Sequence, residues 1–257
     1  MADILPDKNL VRLRFARSLD SYDQAAEVQA SMASALMETL TTLAGTEFPR
    51  VLEAGCGTGV LTTQLEQTLH YQELLLVDLV PECVRFHQNR PRSRFLAGDM
   101  ESLTLPPNVD LCVSNAVFQW FSHPADFLAR LAQALRPGGI LAFTTFGPQN
   151  FQEVAALTGR GLTYPAREKW EEMLRQAGYA ILHQSESLRP MVFSRPEDVL
   201  RHLKATGVTA TGKGEAPWNR SRIQGFQEEY ARRFPAPGGN VRLTYHPLLF
   251  LARRQAL

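Results

Sequence analysis

The sequence predicts an α/β fold, a mostly parallel sheet with helices on both faces. Three observations carry that prediction. Short apolar runs alternate with helix-period stretches through most of the chain, as expected of βα units around a parallel sheet. The first run, Val51-Leu52, ends in an acid and three alternating glycines, Glu53-Ala54-Gly55-Cys56-Gly57-Thr58-Gly59. Later runs end in Asp78, Asp99 and Asn115, and ligands of open parallel sheets bind outside the carboxyl ends of the strands.

The composition leaves room for such a fold and excludes several others. A chain of 257 residues, 44% hydrophobic and 21% charged, can bury one large core and is expected to be a single domain over 1–257. Its apolar runs, such as 140–143, are too short to span a bilayer. Residues 1–17 have no apolar stretch of the kind a secretory signal carries, so a cytoplasmic protein with no membrane partner is expected. Cys56, Cys83 and Cys112 form no C-x-x-C pair, and the six histidines form no i, i+4 pair; no metal site is expected. Cys56 is read as a small packing residue in the glycine loop. Net charge is +1 overall, but residues 1–159 carry −6 and residues 160–257 carry +7, which suggests an acidic partner for the C-terminal portion. Basic residues interleaved with acids, with no Lys/Arg run, speak against nucleic acid.

In chain order, residues 1–14 read as a loose polar arm. Ser21 with Gln24 forms a capping-box start for an N-terminal helix over 21–44, through Val28, Met32, Leu36 and Leu40 to a stop near Gly45. Tyr22 stands at its mouth. The core is expected over 48–193 and 240–254. It begins with a strand at 51–54, a helix at 60–69 and a continuously apolar strand, Glu73–Asp78, of the kind buried on both faces. A helix from 81 to 88, strands at 94–97 and 109–114, and a helix at 124–135 follow. The Arg136-Pro137-Gly138-Gly139 turn stops that helix before a strand at 140–146. A helix at 167–177 and a strand at 179–188 complete this run. Residues 195–236 break the alternation with helices at 196–206 and 223–234 around a loop at 206–218. They read as a helical cap inserted between the last two strands, the last being 241–251.

The glycine spacing decides the ligand class. A dinucleotide fingerprint, G-x-G-x-x-G, needs glycine where Val60 stands. The Glu-x-Gly-x-Gly-x-Gly pattern instead resembles the loop of class I methyltransferases, which implies a Rossmann-like sheet and S-adenosylmethionine as cofactor, with S-adenosylhomocysteine as product. Glycines let the backbone turn and approach a ligand closely, and helix N-terminal amides add donors. Asp78, 21 residues beyond Gly57, is placed to accept from ribose hydroxyls. The resemblance implies that Asp99 takes the adenine amino group and Met100 packs on the ring. Expected cofactor-binding residues are therefore Gln29, Glu53, Gly55, Cys56, Gly57, Gly59, Asp78, Leu79, Asp99, Met100 and Asn115.

Further motifs narrow the family. Phe15-Ala16-Arg17, Tyr22-Asp23, Ala25-Ala26 and Gln29 resemble the malonyl-acyl-carrier-protein O-methyltransferases of biotin synthesis. So do Ser114-Asn115 with Gln119-Trp120, Phe146-Gly147-Pro148 with Phe151 and Glu153, Leu203-Lys204 with Thr206-Gly207, and Leu243-Thr244-Tyr245. The chain departs from the family at Glu82-Cys83, where a Glu-Met pair is usual. The resemblance implies methylation of the free carboxylate of a malonyl thioester on acyl carrier protein. Such a carboxylate is already ionised at pH 7, so no general base is expected. Tyr22 is expected to position the reactants, and Trp120 and Arg189 to bind substrate, with Arg160 and Arg167 as further candidates for the malonyl carboxylate. Tyr22, Phe118 and Trp120 are candidate aromatic faces for the sulfonium. Arg195, Arg201, Lys204, Lys213, Arg220 and Arg222 are candidate attractors of the acidic carrier. A monomer or weak dimer is expected. The alternatives are a methyltransferase of another small carboxylic acid or of a quinone or phenol ring, for which His123 would be the nearby base, and a non-catalytic S-adenosylmethionine-binding module.

Overall fold

The structure, a computed structural model, describes residues 6–159, 161–208 and 219–256. Arg160, Lys213 and most of the expected 206–218 loop lie outside them. The chain opens on two consecutive helices, α1 (Lys8–Ala25) and α2 (Glu27–Ala44), separated only at Ala26. Of the expected loose arm, the described part is helical from Lys8 onward, so the helix begins well before Ser21. Asp7 is the cap, its carboxylate accepting from the amides of Asn9 and Leu10. Ser21 lies inside α1 and turns its hydroxyl back to the Ser18 carbonyl, as a mid-helix serine does.

The core follows as β1 (Arg50–Ala54), α3 (Val60–Thr68), β2 (Glu73–Asp78), β3 (Ser93–Ala97), β4 (Val109–Asn115), α4 (Pro124–Ala134) and β5 (Leu135–Phe146). Where a helix was expected from 81 to 88, a short 3-10 helix, Pro81–Phe86, packs instead. The 136–139 turn is drawn into β5, with a register irregularity against β4 between Val109 and Leu111. Next come α5 (Gln152–Thr158), α6 (Arg167–Gln176), β6 (Tyr179–Glu186), β7 (Arg189–Phe193), α7 (Pro196–Ala205), α8 (Arg220–Arg233), β8 (Pro235–Ala236), β9 (Asn240–Tyr245) and β10 (Pro247–Arg254).

Seven strands form the main sheet in the order β3-β2-β1-β4-β5-β10-β6. It is parallel from β3 to β5, and β10 runs antiparallel to both its neighbours. Two apolar clusters cover its faces. One gathers Leu52, Phe127, Phe143, Trp170 and Phe250; the other brings α2 and α3 onto Val51, Leu74, Leu111 and Leu251.

The single last strand expected over 241–251 is two strands in two sheets. His246-Pro247 is the break: the His246 amide donates to Asn150 Oδ1 at 3.2 Å, and Pro247 has no amide to continue the ladder. β9 pairs with β7 and β8 in a separate three-stranded sheet. Residues 189–193, expected with the core sheet, pair with β9 in this small sheet instead. A third apolar cluster joins this sheet to α7, α8 and the α2 residues Val28 and Met32.

Candidate active site

The carboxyl ends of β1, β2, β3 and β4 open on one crevice, a cavity of about 150 Å³. β1 delivers Glu53 and the glycine loop, β2 Asp78 and Leu79, β3 Asp99 and Met100, and β4 Asn115. α1 and α2 roof it with Tyr22 and Gln29. Of the expected cofactor residues, all line the crevice except Gly59, which sits behind it as the left-handed N-cap of α3.

The loop is held from several sides. Gly55 has φ +75°, and a Cβ there would stand 2.2 Å from a Val117 methyl, so the position admits only glycine. Gly57 has φ +49° with nothing within 4 Å of an added Cβ; it faces the open crevice. Asp78 Oδ2 accepts from the Gly57 amide and Oδ1 from the Val80 amide, each at 2.8 Å. This acid therefore shapes the loop as well as lining the crevice. From behind, His87 Nε2 lies 3.0 Å from the Gly57 carbonyl. His87 carried no sequence signal, because its partner is 30 residues away.

Glu53 is 1% exposed at the end of β1. Desolvation pushes its pKa up to about 8, against the opposing influence of Thr62 and Arg90. Its Oε2 has no hydrogen-bond partner, and neither has Oε1 of the buried Gln29. At the other end Asp99 is engaged by Lys8 from α1 at 2.5 Å, and Lys8 also pairs with Glu101. Lys8 lines the crevice but was invisible in the sequence, where it sat in an apparent arm 91 residues from its partner.

The aromatic candidates separate. Tyr22 and Trp120 line the crevice, with Phe15 between them at ring-centroid distances of 6.0 and 5.6 Å. Tyr22's hydroxyl is kept neutral, chiefly by desolvation and then by Asp23 and Asp78. Phe118 does not reach the crevice; it is 1% exposed and stacks against Phe121 and Phe143 in the core. It is a packing residue.

The substrate candidates fare differently. Arg189 is exposed, outside the lining, and donates to Ser31 Oγ on α2 at 2.5 Å. Arg167 is spent on Glu168, Glu171 and Glu186 at the surface of α6. His123 is the N-cap of α4 and does not line the crevice. Among the described residues no group of three or more His, Cys, Asp or Glu is placed to hold a metal ion.

Fold and crevice together define a class I S-adenosylmethionine-dependent methyltransferase. Residues 52–143 match the methyltransferase domain family. A protein from Bacillus halodurans superposes with a TM-score of 0.64 at 16% identity, covering 88% of this chain and 100% of that one. An N-methyltransferase from Bradyrhizobium japonicum, solved with S-adenosyl-L-homocysteine, superposes with a TM-score of 0.60 at 14% identity over 96% of this chain and 99% of that one. Nearer in sequence is the malonyl-[acyl-carrier protein] O-methyltransferase of Porphyromonas gingivalis, 42% identical over 96% of each chain. That of Haemophilus influenzae is 37% identical over 96% of this chain and 95% of its own. The chain belongs to the malonyl-[acyl-carrier protein] O-methyltransferase family.

Proposed function

We propose that the chain transfers the methyl group of S-adenosylmethionine to the free carboxylate of a malonyl thioester on acyl carrier protein. The observation that carries this reading is the convergence of four strand ends on one crevice, in a chain whose full-length relatives bear that name. Asp99 and Met100 hold the adenine end, Asp78 the ribose, and the 55–59 loop, Glu53, Gln29 and Asn115 the amino-acid end. The cofactor supplies the electrophilic methyl carbon.

The chain's own residues do the rest by positioning. The acceptor carboxylate is ionised at neutral pH, so no side chain has to remove a proton. Tyr22, Phe15 and Trp120 form an aromatic wall that excludes water and favours a cation beside it. Alignment of a carboxylate with a methyl group in such an enclosure supplies the acceleration. His123's position outside the crevice removes the histidine base that the ring-methylating alternative called for. Cap cations attract the acidic carrier: Arg195, Arg201, Lys204 and Arg220 are all exposed, the first two beside Asp198.

Incubation with methyl-labelled cofactor and malonyl-acyl carrier protein tests the reading. The expected product is a base-labile methyl ester on the carrier. Tight cofactor binding with no transfer to any malonyl thioester would favour the non-catalytic module instead.

A further inference from the structure

The Gly57–Thr58 peptide is gripped from behind the crevice. His87 is 5% exposed, does not line the crevice, and stacks on Phe95 with ring centroids 5.9 Å apart. Its Nε2 lies 3.0 Å from the Gly57 carbonyl oxygen. A carbonyl oxygen only accepts, so Nε2 carries the hydrogen and donates it. Nδ1 is then the bare nitrogen, and it is buried without a partner. On the other side of Gly57, Asp78 Oδ2 accepts from its N–H at 2.8 Å. In a planar trans peptide the C=O and the following N–H point in opposite directions. With the Gly57 oxygen drawn back to His87, the Thr58 N–H is turned the other way. Gly57 and Thr58 both line the crevice, and among the described residues no acceptor takes that N–H. The Thr58 hydroxyl is engaged elsewhere, donating to Asp23 at 2.6 Å.

We propose that His87 is a positioning residue: by holding the Gly57 carbonyl it presents the Thr58 amide to the α-carboxylate of the cofactor. The proposal rests on the cofactor reading above, which puts the amino-acid end of the ligand at this loop. Of the two charged groups at that end, the ammonium only donates and the carboxylate only accepts. An amide N–H therefore selects the carboxylate. A donor fixed before the ligand arrives also needs no ordering when it binds. His87 acts through one peptide unit, without touching cofactor or substrate.

Calorimetric binding of two ligands tests this. S-adenosylhomocysteine carries the carboxylate; its decarboxylated analogue keeps the nucleoside, the thioether and the amino group and lacks it. His87→Phe keeps a ring against Phe95 and loses the donor. It is expected to weaken S-adenosylhomocysteine about tenfold, through one misplaced hydrogen bond to a charged group. The decarboxylated analogue should bind that variant as it does the unaltered protein. His87→Gln, whose side-chain amide restores a donor, should recover the affinity. Equal weakening of both ligands, weakening of neither, or no recovery in His87→Gln overturns the proposal. If His87→Phe does not fold, or only the analogue fails to bind, NMR of the unaltered protein decides. His87 should show the Nε2–H tautomer, and S-adenosylhomocysteine should move the Thr58 amide proton downfield. The Nδ1–H tautomer, or an unmoved Thr58 amide, overturns the proposal. An unaltered protein that binds neither ligand overturns the cofactor reading and this proposal together; binding of both with no ligand-selective loss overturns this proposal only.

Discussion

Glu53 is a carboxyl buried at a strand end, with its pKa pushed up to about 8 by desolvation. In the unfolded chain it titrates near 4.5. Between those values the folded protein holds a proton that the unfolded chain has released, so stability from this group falls as pH rises. Asp78, also raised by desolvation, acts in the same direction, and the depressed His87 and His202 oppose it. Comparison with Glu53→Gln isolates the one group. Without cofactor, thermal unfolding of that variant should lose stability less steeply between pH 5 and 8 than the unaltered protein; parallel curves would contradict the assignment. The glycines allow a second separation at this scale. Gly57→Ala meets no atom in the protein and should cost only about 1–2 kcal/mol of left-handed backbone strain. Its methyl projects where the ligand must approach, so cofactor affinity should collapse while folding survives. Gly55→Ala, blocked by Val117, should damage both, as titration calorimetry and unfolding curves would report. Glu53, Asp78 and the glycines were legible because each closes an apolar strand in local sequence. Lys8 and His87 were not, since their partners are reached only through the fold.

Among the elements, α1 departs most from its sequence reading. Its charges suggested an arm, yet Val11, Phe15 and Leu19 repeat at fourfold spacing and turn one face to the crevice. Lys8 pins its start to Asp99 and Glu101. The Asp99 pair is partly exposed and contributes about 1 kcal/mol or less. Lys8→Ala should therefore raise amide hydrogen exchange across the first turns of α1 severalfold, with exchange in β1 and β4 unchanged. The Phe118 turn gives the opposite case. Its aromatic ring suggested a ligand face, but with Phe143, Phe127 and Trp170 it forms a core stack. Phe118→Ala should cost about 3–5 kcal/mol of stability, read by denaturant unfolding. The 241–251 run looked like one strand because apolarity alone does not mark a change of sheet. Pro247, which cannot donate to a ladder, marks the change of sheet.

At the scale of the whole molecule, the proposed function divides the work between a core that would hold the cofactor and a cap that would meet the acceptor. The parallel half of the sheet, with its acids, was readable from periodicity and strand-end residues. The antiparallel β10 and the small β7-β9-β8 sheet were not, because both depend on pairings between distant segments. The excess of positive charge in residues 160–257 makes a prediction at this scale. Reversing Arg195, Lys204 and Arg220 to Glu should raise the KM for the carrier and flatten its salt dependence, leaving cofactor affinity unchanged; an unchanged KM would sink the docking idea. The most direct measurement of the central claim is a comparison of kcat/KM for methyl transfer to malonyl-acyl carrier protein, malonyl-coenzyme A and free malonate under identical conditions. The account predicts that the carrier-bound malonyl group is methylated most efficiently and free malonate least. A preference for free diacids would contradict it, while leaving the cofactor crevice and the fold as they stand.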